Sequence, residues 1–351
     1  MRVLGLFVLG LSLIVIAIEL AGKGRKYEAL ALFLFIIGAV IVLLLFIYLI
    51  ITTSAKQRAV NQPVNQPTPK RELKPISFED FKNLGESAKS YIVGQDKALE
   101  KIEKVLTTGA KLSQMGDTKR RHILASFLLV GTTGTGKTET TKVIAYLLRQ
   151  KGYDYLRLDM NQYSNRWSIN SLLGAAKGYI GSDTPGILPA SVMRNPRLVI
   201  LFDEIEKAER ELFLPLLQLI DEGYVQDMTT GRHLYLDHAI VFFTSNLYST
   251  QIGEMSKTLD ELSFDIQVRN LLLDYLPPEF LGRLDAIIPY GPLSDRDLLI
   301  ITQAHLMHLG LPEDRALIHS QLMLARYKEL AKQFGIRYYL KKVQEDVLGS
   351  R

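Results

Sequence analysis

The chain contains no cysteine. Neither a disulfide framework nor a zinc site built on thiolates can form, and the absence suits a reducing compartment. No block of one charge stands out: 42 Lys and Arg are scattered against 37 Asp and Glu, leaving a net charge of +5 over 351 residues. Without a basic stripe or a helix-turn-helix pattern, no nucleic-acid partner is expected. None of the six histidines sits in a His-Glu-x-x-His frame, so the metalloprotease centre of that type is excluded.

Long apolar runs, by contrast, are present. Val3 to Leu20 is broken only by glycines, Ser12 and a late Glu19, and Ala29 to Ile51 carries no charge at all. Runs of about 18 or more such residues match the thickness of a bilayer core crossed by a helix. The polar turn from Ala21 to Glu28 separates them, so residues 1–53 are expected to form a transmembrane hairpin with helices near 3–20 and 29–51. A cleaved signal peptide is the rival reading of the first run, although Ile18-Glu19-Leu20-Ala21 is a poor small-x-small cleavage site. A hairpin leaves both flanks on one side. Arg2, Lys56, Arg58, Lys70 and Arg71 there outnumber Lys23, Arg25 and Lys26 in the turn, which favours a cytoplasmic remainder.

Residues 54–76 read as a linker, because Pro63, Pro67, Pro69 and Pro75 favour an extended spacer. From Ser77 the composition becomes that of an α/β domain. Strands are expected at Leu124–Val130, Tyr155–Asp159, Leu198–Asp203 and Ala239–Ser245, with helical patterns between them. That alternation predicts a mostly parallel sheet covered on both faces. Beyond Pro292 the pattern is helical, through Asp295–Leu309, Ser320–Phe334 and Tyr338–Val347. Residues 77–292 and 293–351 therefore read as a large α/β domain and a small helical lid.

Gly131 to Thr138 reads GTTGTGKT, between the apolar run Ile123–Val130 and the helix-like stretch Glu139–Arg149. This pattern lets loop backbone N–H groups, with Thr132, Thr133, Gly134, Thr135 and Gly136, close around phosphate oxygens at a helix N-terminus. Lys137 is placed to reach the β- and γ-phosphates and Thr138 to ligate Mg²⁺. A purine nucleoside triphosphate, ATP or GTP, is the expected ligand. About 65 residues further on, the apolar strand Leu198–Phe202 ends in Asp203 and Glu204. Asp203 can hold Mg²⁺ through water, and Glu204 can orient and deprotonate an attacking water. Asn246, closing the next strand, offers a neutral polar group for the same water; a turn-forming Asn is the plainer alternative.

Over about 190 residues, Tyr91 to Arg283, the chain resembles the second ATPase domain of the Clp-type AAA+ unfoldases. The shared motifs are Ile92-Val-Gly-Gln-Asp96, the phosphate loop, Leu158-Asp-Met160 and Gly174-Ala-Ala-Lys-Gly-Tyr-Ile-Gly181. They continue through Phe202-Asp-Glu-Ile-Glu-Lys-Ala208, Thr244-Ser-Asn246 and Pro278-Glu-Phe-Leu-Gly-Arg-Leu-Asp285. The resemblance implies ATP with Mg²⁺, a AAA+ P-loop core with a helical lid, and a hexameric ring acting on protein substrates. It implies that Ile92 and Val93 flank the adenine and that Arg283 is an arginine finger serving a neighbouring subunit. It further implies that Arg337, in Gly335-Ile-Arg337, senses nucleotide from the lid, and that Tyr179 grips a threaded polypeptide. Asp221 to Arg232 would be a second pore loop. The torsins also join a hydrophobic N-terminus to one such domain, but they lack this aromatic and carry Asn where Thr138 stands. A torsin-like switch acting on a membrane partner or adaptor, or the ATPase of a secretion or assembly apparatus, is the alternative. No Ile-Gly-Phe or Ile-Gly-Leu peptidase-docking tripeptide occurs in the large domain.

Overall fold

The computed structural model describes residues 73–175 and 184–349, together with Leu32, Ile36 and Ile37. Contacts divide the chain into two units, Met1–Pro63 and Val64–Arg351. In the first, Leu32, Ile36 and Ile37 are helical, and Leu32 and Ile36, one turn apart, are exposed. The rest of the expected hairpin lies outside the described residues, as does Tyr179. Among the described residues no helix is long and apolar enough to cross a membrane.

The second unit is built on a five-stranded sheet. Its strands are β1 (Ile123–Gly131), β2 (Asp154–Asp159), β3 (Leu198–Asp203), β6 (Ala239–Ser245) and β7 (Ala286–Tyr290), ordered β2-β3-β6-β1-β7. Every pairing is parallel. The central strands β1, β3 and β6 are buried along their whole length, as a sheet covered on both faces requires. Alternate residues serve opposite layers. Leu198, Ile200 and Phe202 of β3 join one apolar cluster, while Val199 and Leu201 join the other. Stacked pairs Phe127–Phe242 and Phe202–Phe243 tie neighbouring strands together, with ring centroids 4.9 and 5.1 Å apart.

Several boundaries differ from expectation. The linker is shorter at its C-terminal end, because Ile76 is buried in the core and the Lys74 carbonyl accepts from Arg197 Nη1 at 2.7 Å. Strand β7 was not expected: Pro289 interrupts its apolar pattern, and the strand is tolerated because it forms the sheet's edge. Asp221 to Arg232 is not a simple loop. It begins in the last turn of the helix Phe213–Glu222 and continues into a hairpin, β4 (Tyr224–Asp227) paired with β5 (Arg232–Tyr235). Three helices follow β7, Asp295–His308, Glu313–Phe334 and Ile336–Gly349. The second starts earlier than the sequence suggests, directly after Pro312, and the third begins one residue after Gly335. They share a separate apolar cluster around Leu306, Ala316, Tyr339 and Val343.

Candidate functional site

All five strands run in one direction, so β1, β3 and β6 deliver their C-terminal residues to the same edge. β1 runs into the phosphate loop, and the helix Lys137–Leu148 begins at the loop's last glycine, Gly136. The loop lies against the start of the third lid helix. At Gly134, φ is 79° and an added Cβ would lie 2.9 Å from Ile336 N; at Gly335, φ is 80° and a Cβ would lie 2.9 Å from the Thr133 carbonyl. Both positions need glycine for conformation and for space.

Lys137 is buried, and its ammonium donates to the carbonyls of Gly131 at 2.6 Å and Thr132 at 2.8 Å and to Asn246 Oδ1 at 2.9 Å. Burial pulls its pKa down to about 8, with Arg337 pulling the same way and Glu206, Asp203 and Glu204 opposing. Asn246 passes the connection on, donating from Nδ2 to Glu204 Oε1 at 3.2 Å. Asn161, just beyond β2, donates to the other carboxylate oxygen at 2.7 Å. Glu204 is thus held between two amides, on a backbone with φ 60° and ψ 57°. A left-handed conformation at a residue other than glycine is strained and needs such support. Glu206 accepts the Asn246 N–H at 3.1 Å, while its second, buried oxygen has no partner among the described residues.

The Thr138 hydroxyl lies 3.2 Å from Asp203 Oδ1. Thr244 Oγ1 donates to the same oxygen at 2.5 Å and accepts the Glu204 N–H at 2.9 Å. Arg157 grips Asp203 Oδ2 with Nε at 3.0 Å and Nη2 at 2.6 Å. A hydroxyl and a carboxylate side by side at a helix N-terminus are the hard oxygen donors that Mg²⁺ takes. The site fits a magnesium-bound triphosphate.

These groups line a cleft of about 470 Å³ that also contains Tyr91, Ile92, Val93, Leu293, Ile301 and Leu340. Thr133, Gly134, Thr135, Gly136 and Arg337 line it as well, so nearly every residue expected at the nucleotide is brought together. Two are not. Thr132 opens on a neighbouring cavity, although its carbonyl receives Lys137. Arg283 closes the short helix Pro278–Arg283 away from the cleft and pairs with Asp221 rather than with Asp285, which binds Arg120 and Ser126. Gln95, Arg157, Asn161 and Thr244 were given no role by sequence reasoning. Gln95 is buried and ties the Thr135 carbonyl, at 3.1 Å, to that of Gly291 at the lid junction, at 3.0 Å. It was visible within Ile92-Val-Gly-Gln-Asp96 and Thr244 within Thr-Ser-Asn. Arg157 and Asn161 meet the site only through the pairing of β2 with β3.

A loop of this construction closes on an anion, and carboxylates so placed need a cation beside them, which defines a P-loop nucleotide hydrolase. Residues 122–287 match the family of AAA domains (Cdc48 subfamily). The chaperone protein ClpB of Mycoplasmoides gallisepticum is 34% identical over 265 residues, 74% of this chain and 35% of that protein. ClpB of Prochlorococcus marinus is 36% identical over 231 residues, 66% of this chain and 26% of that protein. A closed-state Hsp104 reconstruction with ATPγS and FITC casein matches at 28% identity with a TM-score of 0.56, covering 73% of this chain and 42% of Hsp104. The chain spans about a third of the first of these relatives and less of the second. It carries an ATPase domain of the Clp-type AAA+ family, whose chemistry is ATP hydrolysis.

Proposed function

We propose that this protein is a membrane-anchored AAA+ ATPase that couples ATP hydrolysis to unfolding or remodelling of protein substrates, threaded through a homo-oligomeric, hexameric ring. The observation that carries the ATPase part is the unbroken polar chain from Lys137 through Asn246 to Glu204 beside the Thr138–Asp203–Thr244 cluster. Lys137 and the loop bind the phosphates, and Thr138 and Asp203 hold Mg²⁺, which when bound neutralises charge on the transferring phosphoryl group. Glu204, kept in place by Asn246 and Asn161, takes the proton of the attacking water. Arg337 reads the nucleotide from the lid, and Arg283 completes the site of a neighbouring subunit. Relatives named as chaperones, and Hsp104 with ATPγS and casein, support a protein substrate.

Anchoring is supported by the two apolar runs near 3–20 and 29–51 and by the exposed apolar pair Leu32 and Ile36. The charge bias of the flanks supports a cytoplasmic ATPase domain. Tyr179, between Gly178 and Gly181 in the sequence, is the proposed grip, and the described residues on either side of residues 176–183 support it. The β4–β5 hairpin holds the described residues on either side, Met228 N–H donating to the Leu173 carbonyl at 3.1 Å and Thr229 Oγ1 to the Thr184 carbonyl at 3.3 Å. Tyr179→Ala is expected to keep ATP turnover within about twofold while abolishing ATP-driven unfolding of a tagged fluorescent protein by the full chain. Undiminished unfolding would remove the threading step.

A further inference from the structure

Arg157 has no part in the motifs of the nucleotide site, yet it grips the carboxylate that should meet the metal. Asp203 is saturated. Oδ1 takes the hydroxyls of Thr244 at 2.5 Å and Thr138 at 3.2 Å. Oδ2 takes two guanidinium N–H groups of Arg157, and the Thr138 hydroxyl lies 3.4 Å from it. Two carboxylate oxygens offer roughly four lone-pair directions, so no acceptor remains for a hydrated divalent cation unless a donor leaves. Thr244 is buried in β6 and also holds the Glu204 N–H, so it is fixed. Thr138, on the first turn of the phosphate-loop helix, is itself of the type that ligates Mg²⁺. Arg157 alone among the three combines a long stem with room to move: 42% of its side chain is exposed.

We propose that Arg157 is a stand-in cation for the metal, a positioning residue that holds Asp203 in its working orientation while the cleft lacks Mg²⁺ and is displaced when Mg²⁺ enters with nucleotide. The fork fits the carboxylate in the planar, two-pronged manner that a guanidinium allows. Once a divalent ion lies at Asp203, the same positive charge becomes repulsive. Asp159 and Glu139 are carboxylates that line the same cleft and could receive it. Arg157 thereby sets a threshold: it weakens the site for Mg²⁺ and keeps Asp203 paired until the ion arrives.

This inference rests on the nucleotide reading, and one titration separates the two. Binding of a fluorescent ATP analogue to the full-length chain is followed by anisotropy while Mg²⁺ is raised at fixed nucleotide. Arg157→Ala should reach half-maximal Mg²⁺-dependent binding at about threefold or more lower Mg²⁺ than the unaltered chain. Arg157→Lys, which keeps the charge but loses the fork, should shift the same way by less, and it serves as the test if the alanine variant does not fold. A half-point unchanged or raised in the foldable variant overturns the stand-in role while leaving nucleotide binding intact. Failure of the unaltered chain to bind the analogue at any Mg²⁺ concentration overturns the nucleotide reading and this inference with it.

Discussion

The phosphate end of the cleft and the corner that carries Arg283 are built on opposite principles. Lys137, Asn246, Glu204, Asp203 and Thr244 interlock through hydrogen bonds of 2.5 to 3.2 Å, all within one chain and on strand ends fixed by the core. Arg283 ends a short helix, keeps 43% of its side chain exposed and is paired with Asp221 at the end of another helix. The first region is preorganised for charge that develops in place, and such groups need not reorganise during reaction. The second lies outside the cleft, partly exposed and paired with Asp221, where a residue serving another molecule's site could stand. An interlocked cradle with Arg283 outside it accords with the proposal that binding is internal and turnover needs a partner.

The largest expected effect comes from breaking the cradle. Lys137→Ala should weaken ATP binding by about two orders of magnitude, measured by calorimetry, because a charge-assisted contact is lost and Asn246 loses its donor. Affinity within about threefold of the original would show that the loop backbone binds without it. A smaller effect is expected from Gln95→Ala, which strands the buried Thr135 carbonyl and frees the lid junction at Gly291. Its cost should be about 1–3 kcal/mol in chemical denaturation, and a change under a few tenths would deny that Gln95 links loop to lid.

The smallest effect is one of pH. Lys137 is held near 8 in the folded chain against a usual 10.5. The unfolded chain therefore binds more protons between those values, and this residue's share of stability rises with pH across that window. Its burial cost is fully present below about pH 8. A phosphate beside the ammonium should restore its proton, so nucleotide binding near pH 8.5 should take up protons. Calorimetry in buffers of different ionisation enthalpy reads this directly, and uptake of none would place Lys137 outside the phosphate site.

Much of this was legible in the sequence. β3 and β6 were expected at their observed bounds and β1 within a residue at each end, since fully buried parallel strands read as unbroken apolar runs. The edge strand β2, with its exposed Arg157, was expected within a residue. Strand β7 was not, because Pro289 reads as a breaker unless the strand is known to be an edge. The start of the lid helix at Glu313 was hidden by its polar first turn. In the site, residues within motifs were found, whereas Arg157 and Asn161 were missed for a topological reason. Their contacts with Asp203 and Glu204 arise because β2 lies beside β3, and nothing local to β2 announces that neighbour.

The claim that binding is internal while turnover is shared can be tested by mixing two inactive variants. Arg283→Ala keeps a whole cradle but lacks the arginine; Glu204→Gln keeps the arginine but lacks the base. Each alone should bind ATP with affinity within about twofold of the original and hydrolyse it about a hundredfold more slowly. Mixed in equal amounts, they should regain a substantial fraction of the unaltered turnover. Turnover no greater than the average of the two separate variants would contradict the account.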